Sequence, residues 1–198
     1  MVGVKMKVRS IASLVMGLCF AAGSANASSI GVFTAPDGSD CDAEVVPFTP
    51  FFTYVIALLG GDAAAGGISG AELRLLGIDA GWSNTVTPNP AAFIVLGNVI
   101  GDGANIAFPA LQPGPMVTLF TIQSLALAPV TPRTLGIVKK NPQASPAFDC
   151  PLVTLAPPDF YSLCVLGGEA FLNRALNPPC TVGVTPTTWT QMKNLYGN

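Results

Sequence analysis

The chain has 198 residues with nine lysines or arginines, 11 aspartates or glutamates and no histidine, a formal net charge of −2. Only 10% of its residues carry charge, against roughly 25% in an ordinary soluble domain. The missing imidazole excludes Ser-His-Asp and Cys-His catalysis, the acidic balance speaks against a phosphate-neutralising nucleic-acid surface, and the length suits one domain.

The first nine residues carry Lys5, Lys7 and Arg9 and no acid, and residues 11–23 are uncharged and rich in Ala, Leu, Val and Met. These are the n-region and h-region of an export signal. Ala25-Asn26-Ala27 supplies small residues at −3 and −1, so cleavage is expected after Ala27, leaving six basic residues against 11 acidic ones and a net charge of −5. A lipoprotein signal ending at Cys19 is the alternative, with Leu18 standing where a small residue belongs. The apolar run falls short of the roughly 20 residues of a spanning helix, and residues 51–59 end at Gly60-Gly61-Asp62. The mature chain is therefore expected without a membrane span, in the periplasm, at the cell surface or secreted.

Gly (21) and Pro (18) recur every few residues, separating short segments of Val, Ile, Leu, Phe and Thr. This predicts an all-β fold, an antiparallel β-sandwich of two sheets and about nine or ten strands. The expected strands lie at 29–34, 41–46, 51–59, 71–75, 82–87, 92–96, 105–108, 116–127, 134–139 and 161–166. In 51–59 the bulkier set Phe52, Tyr54, Ile56 and Leu58 is assigned to the core. In 71–75, Ala71, Leu73 and Leu75 are expected inside, with Glu72 and Arg74 as a solvated pair. Residues 60–67 have the glycine content of a phosphate loop without its Lys-Ser/Thr, and are expected as a flexible loop between strands. Residues 141–160, with five prolines, are expected to be mostly loop pinned by Cys150. Trp189, Met192, Leu195 and Tyr196 recur at helical spacing after Thr187 and Thr188, predicting a short C-terminal helix. The resulting organisation is 1–27 signal peptide, 28–140 sandwich core, 141–186 Pro/Cys-rich completion of the same domain, and 187–198 terminal helix.

Four cysteines remain after cleavage: Cys41, Cys150, Cys164 and Cys180. An even number in an exported chain predicts two disulfides, with three connectivities. Cys164 and Cys180 are near in sequence and bracket a loop containing Pro178 and Pro179, which favours that bridge and leaves Cys41 with Cys150; a metal site lacks both the CxxC spacing and histidine. Asp37, Asp40, Asp42 and Glu44 are the densest charge cluster. Carboxylates in that number can hold Ca²⁺, the one cofactor considered, or protect a strand edge from pairing. Trp82, Phe93, Tyr161 and Trp189 are candidates for a sugar-binding platform or for the core. Gly67-Ile68-Ser69-Gly70 approaches a nucleophile elbow but continues with Ala71 and has no base. A two-carboxylate hydrolase would draw on Glu72, Asp159 or Glu169.

The text GGISGAELRLLG at 66–77, GANIAF at 103–108 and MVTLFTIQSLAL at 116–127 resembles cohesin-like sandwiches and related carbohydrate-binding modules over residues 29–140. The cysteine-rich last third and the Trp-x-x-x-Lys-x-x-Tyr ending resemble a set of uncharacterised small secreted bacterial proteins. The resemblance implies a sandwich but carries over neither partner nor sugar, since fold does not establish function. The expected function is a non-enzymatic structural, adhesive or binding module whose partner is another extracellular protein or a glycan. The alternatives are a carbohydrate- or calcium-dependent binding domain, a carboxylate hydrolase, and a small outer-membrane barrel. The prolines, cysteines and lack of ten-residue alternation argue against the barrel.

Overall fold

The computed structural model describes residues 28–155, 162–174 and 180. The segments expected as signal peptide and as terminal helix, with Trp189, and also Tyr161 and Asp159 lie outside the described residues. In chain order the elements are β1 (Ser29–Phe33), β2 (Asp42–Ala43), β3 (Pro50–Leu58), a single helical turn α1 (Gly61–Gly66), β4 (Ile68–Leu76), β5 (Ser83–Pro88), β6 (Ile94–Asn98), β7 (Gly103–Gln112), β8 (Met116–Leu125), β9 (Arg133–Val138), β10 (Leu152–Leu155), β11 (Ser162–Cys164), β12 (Leu166–Gly167) and β13 (Glu169–Leu172).

One sheet runs β12-β1-β3-β8-β5 and the other β11-β10-β4-β9-β13-β2, with β7 on β4 and β6 on β7. The ladders are antiparallel except for β1 with β12 and β13 with β2, each two residue pairs long. The sandwich expected from the turn spacing is the one observed. Ile30 and Val55 from one sheet and Ile68, Leu73 and Leu135 from the other are fully buried in the core they share. Each such side chain contributes about 1.5–3 kcal/mol by leaving water.

Three local expectations are corrected. First, Phe52 is exposed, while Thr53, Val55 and Ala57 on the opposite face are fully buried. Strand pairing decides this, because Val55 and Ala57 lie beside Val32 and Ile30 of β1, and a bulge after Val55 adjusts the register with β8. Ile56 is buried on the other face, where the turn at Gly38 lies over it. Second, Glu72 is not solvated. It is buried, and its carboxylate accepts from the Ala144 N–H at 3.1 and 3.3 Å, because the 139–151 connection crosses the outer face of β4; Arg74 forms no ion pair with it. Third, residues 60–67 form a helical turn rather than a flexible loop, though Gly61 and Gly67 do take positive φ of 53° and 79°. The proline-rich stretch carries no strand from residue 141 to 151, as expected, and then contributes β10, which pairs with β4 on one side and β11 on the other.

The disulfide pairing is also corrected. Cys41 bonds Cys180 and Cys150 bonds Cys164, with Cα separations of 5.4 and 5.7 Å. The β10–β11 hairpin sets Leu152 opposite Cys164, which brings Cys150, two residues upstream, diagonal to Cys164 on the same face. Cys41 sits beside β13, accepting from the Phe171 N–H at 2.7 Å, and so meets the chain leaving that strand. Cys150 lies nearer to Cys164 along the chain, 14 residues away, than Cys180 does, so proximity and the register of the strands point to the same bridge.

Candidate functional site: an uncharged open edge

Between Asp79 and Arg133 the sequence has a single charged residue, Asp102, and this stretch builds β5, β6, β7 and β8. Two of these end the sheets: among the described residues β5 pairs only with β8 and β6 only with β7. Between the two edges opens a groove of about 360 Å³, lined by Asn84, Val86 and Pro88 of β5 and Val95 and Gly97 of β6, with Phe120 of β8 in its wall.

Each edge is set by local chemistry. Asn89 terminates β5 by donating its backbone N–H to Leu119 O at 2.9 Å and its side-chain amide to Thr118 O at 2.6 Å. Its carboxamide oxygen accepts from Ala91 N at 2.9 Å, an Asx turn that starts the link to β6. Asn98 repeats the device after β6, accepting from Ile100 N at 3.1 Å, and the loop is fastened by the Leu75 N–H donating to Val99 O at 2.8 Å. Every residue of β6 is exposed. Ile94 and Leu96 lie on the outer face opposite Ala107 and Asn105, while Val95 lies with Ile106 on the groove side. Phe93, just before the strand, is 73% exposed and Leu96 61%.

The aromatic candidates divide here. Trp82 is half-buried, with the Phe51 ring edge-on at 5.3 Å and the Arg133 guanidinium over it at 4.8 Å. It is a packing residue, whereas Phe93 is free to touch a partner. Sequence reasoning missed Phe48, a 71% exposed residue at a positive φ of 60° whose N–H donates to Ala126 O, and it missed the continuity of the β6 edge. The sparse charge between Asp79 and Arg133 was the available signal.

Two of the four acidic candidates, Asp37 and Asp40, are engaged by groups of their own loop. Asp37 accepts from the Ser39 hydroxyl at 2.6 Å and the Ser39 N–H at 3.1 Å, which keep its carboxyl below the ordinary range. Asp40 accepts from the Asp42 N–H at 3.0 Å. Among the described residues no three acidic, cysteine or histidine side chains converge on a point that would hold a metal ion. Of the hydrolase candidates, Glu72 is closed off beneath Ala144 and Glu169 is exposed on β13.

The architecture is a cohesin-like β-sandwich. A cohesin module of a family 33 glycoside hydrolase from Clostridium perfringens superposes with a TM-score of 0.51 at 14% identity, over 75% of this chain and 96% of that one. The sixth cohesin of Acetivibrio cellulolyticus scaffoldin B, solved in complex with a Cel5 dockerin, has a TM-score of 0.48 at 10% identity over 74% and 98% of the two chains. At such identities the first of these defines a shared fold and nothing finer. No protein-family model matches the chain, and no curated protein matches it.

Proposed function

We propose that residues 28–198 act outside the cytoplasm as a non-enzymatic β-sandwich that binds another protein through the β5–β6 edge. The observation that carries this reading is the exposed run Phe93–Leu96 beside a groove that has no titratable group in its lining. Proton transfer needs a positioned acid or base; the groove offers instead apolar area, two carboxamides and unpaired strand edges, the materials of strand addition. An exposed apolar patch of this kind marks an interaction site. The two disulfides favour an oxidising compartment.

A photo-crosslinking residue placed at Phe93 in the producing cell tests the reading, with the exposed Ala147 on the opposite connection as control. Adducts of defined mass are expected from Phe93 and not from Ala147, on a mature chain that begins at Ser28. Equal labelling at both positions, or a chain found inside the cell with Met1 and all five thiols free, would overturn it.

A further inference from the structure

We propose that the partner at this edge is a second copy of the chain, joined by antiparallel pairing of β6 with the β6 of that copy about a two-fold axis. The inference rests on the binding-module reading above and adds the identity of the occupant.

Three observations carry it. The first is geometric. β6 is hydrogen-bonded to β7 on one side, from Ile94 opposite Ala107 to Asn98 opposite Gly103, and among the described residues no strand pairs with its other side. The neighbouring edge is less available: β5 ends in Pro88 and is followed by Pro90, and proline cannot donate to a ladder. Nothing of the kind protects Ile94–Asn98, which contains neither proline nor charge, although native sandwiches guard free edges with one or the other.

The second is electrostatic. The mature chain is net acidic, with 11 acids against six bases, yet the stretch from residue 80 to 132 contributes one charge only. Two identical copies repel where their charges face each other. At this neutral end they meet without that cost, and an acidic or basic partner would find nothing to pair with.

The third is self-complementarity. An antiparallel strand pair is symmetric about a two-fold axis, so the same patch serves on both sides. The copy presents an apolar strand already ordered on a sandwich, whereas a loose peptide must lose its backbone freedom on binding. Ile94 and Leu96 of one copy then extend the apolar outer face of the other.

Sedimentation velocity of the disulfide-intact mature protein, between about 1 and 200 µM, tests this. A five-residue edge is a small interface, so a reversible dimer with Kd on the order of tens of micromolar is expected. Leu96→Lys should weaken it at least roughly tenfold, a burial cost of about 1.4 kcal/mol, with Phe93→Lys as a second variant if the first fails to fold. Leu127→Lys, at another exposed apolar residue off the edge, should leave the dimer intact. Added salt should leave or strengthen the association, because it screens only repulsion between like-charged copies. A wild-type monomer at the highest concentration overturns the inference. So does a dimer indifferent to both the Leu96 and the Phe93 variant, or one abolished by removing residues 181–198, which would make that segment the occupant. A monomeric wild type that still crosslinks through Phe93 to a different protein removes the second copy and leaves the binding module standing. Loss of both results removes both.

Discussion

Asn173 carries more of the fold than any property of its neighbours announces. It follows β13 at a positive φ of 55°, accepts from the Val45 N–H, and donates its amide to Val45 O at 3.2 Å and Val130 O at 3.0 Å. Three distant stretches of chain meet on one side chain, and asparagine is the non-glycine residue that best tolerates that backbone. Asn173→Ala should cost about 2–4 kcal/mol by leaving these groups without partners, measured as a lower urea midpoint at unchanged slope. Asp79 sets a pH dependence. The Gly81 N–H, and after it the Arg133 guanidinium at 2.8 Å, hold its carboxyl below the ordinary value of 3.8. A group lowered on folding contributes its stability above the unfolded pKa and loses it as pH falls through the folded value. The melting temperature should therefore drop below pH 3.8, and Asp79→Asn should make that acid limb shallower; an unchanged limb would assign it to other carboxylates such as Asp37. Neither role was legible in the sequence, where Asn173 is an unremarked turn residue and Asp79 one acid among 11. Glu72 was legible in type and misplaced in environment, because alternation gives the face of a strand and not what covers that face.

At the scale of elements, the disulfides follow the register of the strands. The Cys41–Cys180 bridge closes a separation of 139 residues and the Cys150–Cys164 bridge one of 14. In the chain-entropy account the longer loop is worth about 5 kcal/mol and the shorter about 3. Cys41→Ser with Cys180→Ser should accordingly lower stability more than Cys150→Ser with Cys164→Ser, and non-reducing peptide maps should recover these two pairs. The second pair acts locally, tying the 139–151 connection to the β10–β11 hairpin over Glu72, so its removal should raise proteolytic nicking near Ala147 before it affects global unfolding. Strand existence was read well from Gly and Pro punctuation, and the seven strands β3 to β9 fall on expected segments. Which face of β3 is buried was not, because Phe52, Tyr54, Ile56 and Leu58 exceed their alternates in bulk while Ile30, Val32, Phe120 and Ile122 select the smaller set.

For the whole molecule, composition was the informative level. Low charge, frequent turns and four cysteines led to a disulfide-bonded sandwich, and the loose resemblance of residues 66–77, 103–108 and 116–127 led to the cohesin-like architecture observed. The candidate site followed only in part. Phe93 was named among four aromatics, but the edge it belongs to is formed by strands that end different sheets, and no local pattern marks which strand lacks a neighbour. The oligomeric state tested through Leu96 belongs to this scale, since it depends on charge segregated across the molecule and not on one contact. What the sequence determined by itself was class: the strand period, the turn positions and the number of thiols are local properties that survive any arrangement of the strands. What only the tertiary structure decided was pairing. Which strands become edges, which thiols meet and which carboxylates are covered all depend on contacts between residues far apart in the chain, and the energies that choose among them arise only when the two sheets close on each other.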